Sequence, residues 1–177
     1  TAATSGHPQP YCGRMDIALI AGMWLDGSAW DPVVPELERL GHRPVPLNLP
    51  GQGDGNSGAS YDDQVAAVVA AVDAADGPVL MVGHSAACTL AWAAADQRPD
   101  KIVRVVLIGG FGAADGETYF GYFEPVDGVV PFPGWEPFEG PDSDDMSDEL
   151  KASVAARAIA VPAGVTQGVV RLTDERR

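Results

Sequence analysis

A serine between small residues stands in the middle of residues 83–87, which read GHSAA. The pattern G-x-S-x-[G/A] holds a serine at a sharp turn when a buried strand precedes it and a helix follows it. The short apolar run at residues 79–82 precedes this turn, and an alanine-rich stretch with Leu90 and Trp92 at helical spacing follows it. A serine hydroxyl presented in this way can attack a carbonyl carbon. We therefore predict that Ser85 is a nucleophile.

The same pattern occurs a second time in the chain, at residues 55–59, which read GNSGA. This copy lies inside a glycine-rich loop, with no strand directly before it and no helix beginning at Ser57. The pattern is therefore weak by itself, and the flanking strand and helix are what favour Ser85.

Composition limits the classes of function that are open to the chain. Its 177 residues suit one domain with a sizeable core, and its net charge of −14 argues against nucleic acid as a partner. Two cysteines make no disulfide framework, and no cluster of residues has the spacing of metal ligands, so we expect neither a metal nor another cofactor. The sequence has neither a membrane-length apolar stretch nor a signal-peptide pattern, which predicts a cytoplasmic protein without membrane contact.

Strand-like and helix-like segments alternate through the first 110 residues. Strands are predicted at residues 16–21, 43–49, 79–82 and 101–108. Helices are predicted between them: one with Asp31 as its cap and Pro32 at its first position, one opened by Ser60 and Asp63, and one after Ser85. This alternation predicts an α/β fold with a doubly wound, mostly parallel sheet and helices on both faces.

The chain divides into three predicted parts. Residues 1–14 are polar and without periodicity, which indicates a disordered tail, and residues 15–110 form the α/β core. Residues 111–177 contain most of the remaining aromatic residues, an acidic run at 141–149, and predicted helices at 147–158 and 162–172. We predict that this third part is a lid of loops and helices over the strand ends, where α/β sheets bind ligands.

These features together resemble the α/β-hydrolase superfamily, and in particular its short esterase-like members. The resemblance implies that Ser85 is the nucleophile and that the backbone N–H groups of Met23 and Ala86 form the oxyanion hole. It also implies a substrate pocket, in which we place Trp24 and Phe111. Residues 48–53 look like the family's D-x-P-G-x-G segment, but with Asn48 in place of the usual acidic residue.

The family's catalytic order is serine, then acid, then histidine, and this sequence departs from it. The only histidines are His7, His42 and His84, so none follows Ser85. Asp115 is where some relatives carry the acid. The resemblance thus implies a fragment that lacks the C-terminal acid and histidine. In such a fragment, the strand at 101–108 would be an unprotected sheet edge through which two copies could associate.

The sequence leaves three functions open. The first is a serine hydrolase that acts on a small ester through an acyl-enzyme, with the acid and base absent from this chain. The second is a non-catalytic ligand-binding or signalling protein on the same fold, which the lack of a base favours. The third is nucleotide binding by residues 53–58, which match G-x-G-x-x-G. It is disfavoured because the third glycine, Gly58, precedes the helix cap at Ser60.

Overall fold

A parallel sheet of four strands forms the centre of the computed structural model, which describes residues 13–173. The predicted tail lies almost wholly outside this range. The strands are β1 (Asp16–Ile20), β2 (Arg43–Pro46), β3 (Val79–His84) and β4 (Ile102–Ile108), in the order β2-β1-β3-β4. Every neighbouring pair is parallel, so the predicted α/β fold with a mostly parallel sheet is confirmed.

The side chains of β1 alternate between two hydrophobic layers, as the pleat of a strand requires. Ile17 and Leu19 pack with Val82 on one face, under the side chains of Val34 and Leu37. The alternate residues of β1 belong to the larger core on the other face. Both faces of β1 are therefore covered, which explains why this strand is so apolar.

Three helices cover the sheet: α1 (Val34–Arg39), α2 (Tyr61–Asp73) and α3 (Ala87–Gln97). The predicted capping box of α2 is present, with the Ser60 side chain accepting from the Asp63 amide and the Asp63 side chain accepting from the Ser60 amide. Such a box satisfies two N–H groups that a helix start leaves unpaired. Helix α3 begins directly after the turn that carries Ser85.

The predicted start of α1 was wrong. Asp31 does not cap the helix, because its backbone N–H closes a preceding 3₁₀ turn, Gly27–Trp30, by donating to the Ser28 carbonyl. Asp26 caps that turn instead, and α1 starts only at Val34.

The predicted helix at 162–172 is reduced to α5 (Ala163–Thr166). The residues that follow it run extended beside residues 116–120, where the Gly116 amide donates to Val170 and the Tyr119 amide donates to Gly168. Long-range backbone hydrogen bonds thus replace the helix that local propensity favoured.

The part of the chain after residue 110 contains a small antiparallel sheet and a helix. Strands β5 (Val129–Val130) and β6 (Val161–Pro162) pair with each other, and α4 (Asp148–Arg157) lies between them in the chain. Trp24 packs here edge-on against four phenylalanine rings, at centroid distances of 5.6–6.0 Å. The rings that contact it are Phe120, Phe123, Phe132 and Phe138.

Strand β4 is the outermost strand on its side of the sheet within the described residues. Val103, Leu107 and Ile108 on this strand are exposed large hydrophobic residues. The predicted open edge is therefore present, whereas the predicted association through it remains a prediction. In the part of the chain that the structure describes, no helix is both long enough and apolar enough to cross a bilayer.

Candidate active site

Ser85 lies at the apex of the turn between β3 and α3, and its φ of 54° is left-handed. Non-glycine residues seldom adopt this conformation, and a turn that holds one is under strain. The surrounding structure holds it in place, because the Ser85 amide donates to the Ile108 carbonyl at 2.8 Å and the Ser85 carbonyl accepts from the Cys88 amide. Ser85 therefore stands at the start of α3, where the helix dipole favours negative charge.

The backbone on both sides of this turn is packed too closely for larger side chains. A Cβ atom added at Gly83 would lie 2.6 Å from the Ala87 carbonyl oxygen. One added at Gly110, after β4, would lie 2.5 Å from the Ser85 carbonyl oxygen. Small residues at these positions are thus a condition of the turn.

The amides of Met23 and Ala86, the predicted oxyanion-hole donors, lie beside this turn. Among the described residues, neither amide donates to a protein acceptor. Met23 lines the same cavity as Ser85, whereas Ala86 is the N-cap of α3 and follows Ser85 directly. Two unpaired N–H groups beside a serine can stabilise a negative oxygen. Their assignment as an oxyanion hole remains a prediction.

The loop that carries Met23 is held by contacts on three sides. Trp24 has a φ of 64°, and its indole Nε1 donates to the Val130 carbonyl at 3.1 Å. The Trp24 carbonyl accepts from the Ile159 amide at 2.9 Å. Asn48, the residue that departs from the family pattern, accepts from the Gly27 amide at 2.9 Å through its side-chain oxygen. Backbone donors fixed in this way need no reorganisation during a reaction.

Ser85 opens into a cavity of about 330 Å³. Its walls come from the loop after β1, the turn after β3, and the part of the chain after residue 130. Aromatic side chains of that last part, Phe132, Trp135 and Phe138, form one wall. The cavity is therefore a mostly apolar pocket whose polar side chains are those of Ser85, His84 and Asp142, and sites for small molecules are commonly built in this way. The other lining residues are Gly22, Met23, Trp24, Leu25, Gly109, Met146, Val154 and Ala158.

Three of the predicted site residues do not line this cavity: Ala86, which follows Ser85 directly, and also Phe111 and Asp115. Trp24 does line it, but Phe111 does not, because its side chain is 73% exposed on the surface after β4. Asp115 is also absent from the cavity wall, and its carboxylate accepts from the Leu172 amide at 2.8 Å. The structure therefore gives Phe111 no place in the pocket and gives Asp115 a role in holding the end of the described chain.

Sequence reasoning missed the lining residues of α4 and the segment before it. Met146, Val154 and Ala158 line the cavity, and Leu150 lines a groove next to it. These four residues recur every four positions, which is the spacing of one helix face. This signal was present in the sequence but was hidden among the acidic residues around it.

Neither described histidine is arranged as a base for Ser85. His84 packs edge-on against Trp30 with ring centroids 6.4 Å apart, and burial lowers the pKa of its imidazole. In the described part of the chain, no hydrogen bond joins His84 to Ser85. His42 does not line the cavity, and its Nδ1 atom is buried without a hydrogen-bond partner.

The glycine-rich loop at 51–58 is organised around its own carboxylate. Asp54 Oδ1 accepts from the Gly51 amide at 3.1 Å and from the Asn56 amide at 2.9 Å. A phosphate-binding loop needs such amides for its ligand, so this geometry speaks against a nucleotide site. The described residues include no group of three or more side chains that could hold a metal ion.

Comparison with known proteins identifies the family. Residues 17–175 match the model of the alpha/beta hydrolase family, so the chain belongs to that family. A search of curated proteins gives no match.

Several solved structures share the fold. An extracellular alpha/beta-hydrolase from a Paenibacillus species superposes with a TM-score of 0.78 at 22% identity, over 90% of this chain and 72% of that protein. A methylesterase from Arabidopsis superposes with a TM-score of 0.72 at 16% identity, over 92% of this chain and 72% of that protein. A pyrethroid hydrolase from Sphingobium faniae superposes with a TM-score of 0.55 at 27% identity, over 67% of this chain and 52% of that protein. The predicted resemblance is confirmed at the level of the family and fold, and these neighbours are hydrolases or esterases.

Proposed function

We propose that this site hydrolyses a small ester through an acyl-enzyme on Ser85. The observation that carries the proposal is the position of Ser85, which stands at a strained turn, at the start of a helix, and in the wall of an apolar cavity. A hydroxyl so placed meets a bound carbonyl without first having to move.

The chemistry would proceed in two steps. The Ser85 oxygen attacks the ester carbonyl carbon and loses its proton to a base, and the N–H groups of Met23 and Ala86 hold the negative oxygen of the tetrahedral intermediate. The alcohol then leaves with a proton, and water hydrolyses the acyl-serine in the same way. No histidine follows Ser85 in the sequence. We therefore expect little turnover from this chain alone.

The family and its structural neighbours support an ester as the substrate class. One neighbour is described as a methylesterase and another as a pyrethroid hydrolase. The aromatic wall of the cavity in this chain is consistent with an apolar group on one side of the ester. The predicted cytoplasmic location stays a prediction, and the Paenibacillus neighbour is described as extracellular.

One observation favours a second function, the binding of a ligand without turnover. Neither described histidine contacts Ser85 by a hydrogen bond, and a serine without a base is a weak nucleophile. In that case the cavity and the turn would remain as a binding site on the hydrolase fold.

A fluorophosphonate probe separates the two functions, because it modifies serines that the site activates. We expect slow labelling of the parent chain that is specific for Ser85, because the strained turn and its amide donors are present although no base is present among the described residues. The labelling rate should fall at least about 100-fold in Ser85→Ala and stay unchanged in Ser57→Ala. Ser57 is the matched control because it has the same local pattern without the strand and helix. Equal labelling of the parent and Ser85→Ala would show that Ser85 is not the nucleophile and would favour the binding function.

A further inference from the structure

Trp24 stands in a tight turn at a position where glycine is the usual residue. The backbone from Gly22 to Leu25 forms this turn, in which the Leu25 amide donates to the Gly22 carbonyl at 3.2 Å. Trp24 is the third residue of the turn and has a φ of 64°. A positive φ at the third residue is typical of type II turns, and it is costly for a bulky side chain. Contacts from elsewhere in the molecule must therefore hold Trp24 in this conformation.

The lid, residues 111–173, holds Trp24 on several sides. The indole Nε1 donates to the Val130 carbonyl at 3.1 Å, and four phenylalanine rings of the lid pack edge-on against the indole. The Trp24 carbonyl accepts from the Ile159 amide at 2.9 Å. Trp24 is only 6% exposed, so relaxation of its backbone would break buried contacts. A strained residue persists when its surroundings overdetermine it in this way.

The same turn carries the Met23 amide next to Ser85. A Cβ atom built at Gly22 would lie 3.0 Å from the Ser85 Cβ atom, so the turn and the serine are in direct contact. The Met23 amide belongs to the peptide unit between Gly22 and Met23, and among the described residues it donates to no protein acceptor. Because no hydrogen bond of its own fixes its direction, the conformation of the turn does. A turn that relaxed at Trp24 would move Met23 with it.

We propose that Trp24 is a positioning residue through which the lid holds the Met23 amide beside Ser85. The inference deepens the proposed function and rests on it, since Met23 is there a donor to the negative oxygen of the intermediate. In this role Trp24 acts through the backbone of the turn and not on the reacting atoms. The lid is then a part of the oxyanion site as well as a wall of the cavity.

Replacing Trp24 by alanine and by glycine separates the conformation of the turn from the packing of the indole. Both substitutions remove the indole and its contacts with the lid. Only glycine adopts a positive φ at no steric cost. If the indole served only to fill space, the two variants would label at the same rate once folded. If the conformation of the turn matters, Trp24→Gly retains part of what Trp24→Ala loses.

The quantity to measure is the rate constant of fluorophosphonate labelling at Ser85, at a temperature where circular dichroism shows that each variant is folded. Loss of a whole oxyanion-hole donor costs about 10²–10³ in rate. We expect Trp24→Ala to label at least about tenfold more slowly than the parent, and Trp24→Gly to label at least about threefold faster than Trp24→Ala. Equal rates for the two variants, or the parent rate in Trp24→Ala, would overturn the proposal.

Phe123→Ala tests the lid side of the contact without altering the cavity wall. Phe123 packs against the Trp24 ring at a centroid distance of 5.6 Å, but it does not line the cavity beside Ser85. Its loss should slow labelling at least about threefold. Phe111→Ala, at an exposed aromatic residue outside this cluster, should leave the rate unchanged. The parent rate in Phe123→Ala would show that the lid does not act through Trp24.

A measurement on the amide itself keeps this test separate from the reactivity of Ser85. The sequence has four methionines, so labelling with ¹⁵N-methionine gives four backbone amide signals, and Met23→Leu assigns one of them. In the Ser85→Ala background, we expect the Met23 signals of Trp24→Ala and Trp24→Gly to differ by more than they do in urea-unfolded protein, while the Met81 signals coincide.

The two failures can be told apart. Met23 signals that differ no more than in urea would overturn the positioning role. Distinct Met23 signals together with no labelling of the parent at Ser85 would contradict the proposed hydrolysis and would support the effect of Trp24 on the Met23 amide.

Discussion

Two segments of this chain have the same pattern of residue types and different structures. At residues 83–87, β3 and α3 meet at Ser85, the backbone packs to within 2.6 Å of a Cβ built at Gly83, and the serine has a φ of 54°. At residues 55–59, Gly58 has only the Asn56 side chain near its Cβ position, at 3.7 Å, and Ser57 is exposed. The pattern therefore permits a nucleophile turn, and a neighbouring strand and helix are what produce one.

The difference also shows where the strain is held. Ser85 is held by a hydrogen bond to β4, the neighbouring strand, through the Ile108 carbonyl. The loop at 55–59 makes only local hydrogen bonds among the described residues, to the Asp54 side chain and within short-range turns, although Ala59 at its end is buried in the core. A strained conformation persists when its surroundings overdetermine it, and only the first segment has such surroundings.

The largest expected difference is in stability, when one methyl group is added to the serine turn and one to the loop at 55–59. Gly83→Ala would bring a Cβ against the Ala87 backbone and should lower the free energy of unfolding by about 2–3 kcal/mol. Gly58→Ala, in the open loop, should change it by less than about 0.5 kcal/mol. Urea unfolding of both variants checks this. Equal losses would show that the two segments are packed alike.

The strand that supports the serine turn gives the second test. The outer side of β4 is open, and Leu107 on this strand is exposed. We therefore expect the chain to self-associate through this edge. Leu107→Lys should raise the dissociation constant of the self-association about tenfold, or about 1.4 kcal/mol. Leu40→Lys, at an exposed leucine outside the sheet, is the control. Sedimentation velocity over a range of concentrations measures the effect. A monomer at all concentrations would contradict the predicted association.

The smallest expected effect is the change in stability when either of two serines near the glycine-rich loop, Ser60 or Ser57, is replaced by alanine. Ser60→Ala should cost about 1 kcal/mol, because Ser60 caps α2 and its hydroxyl accepts from the Asp63 amide at 3.2 Å. Ser57→Ala should be neutral. Thermal unfolding of the pair checks the prediction, and a neutral Ser60→Ala would mean that the capping box contributes nothing to stability.

The parts that could be predicted from the sequence are those decided by local pattern. The four strands, the capping box at Ser60 and the turn at Ser85 each depend on a few adjacent residues. The start of α1 could not be predicted in this way, because Asp31 closes a turn whose geometry depends on Asp26. The extended path after Thr166 also follows from pairing with a segment about fifty residues earlier, which no local pattern reports.

The same distinction between local pattern and long-range packing holds for the candidate site. Ser85 and the neighbouring Met23 and Ala86 belong to segments with recognisable motifs, whereas the cavity wall depends on how the lid folds back. Phe111 was misplaced because aromatic composition says nothing about which rings face inward. Asp142 was not predicted, since an acidic residue in a lid is ordinarily solvated and only the folded lid places it beside the cavity.

The most direct test of the proposed site is whether Ser85, and not its counterpart Ser57, becomes acylated. Incubation with an activated aryl acetate, quenching in acid, and peptide mapping by mass spectrometry would locate the acetyl group. We predict acetylation of the peptide that contains Ser85, its absence in Ser85→Ala, and an unmodified Ser57 in both. Equal acetylation of the two serines, or none on Ser85 while Ser57 reacts, would contradict it.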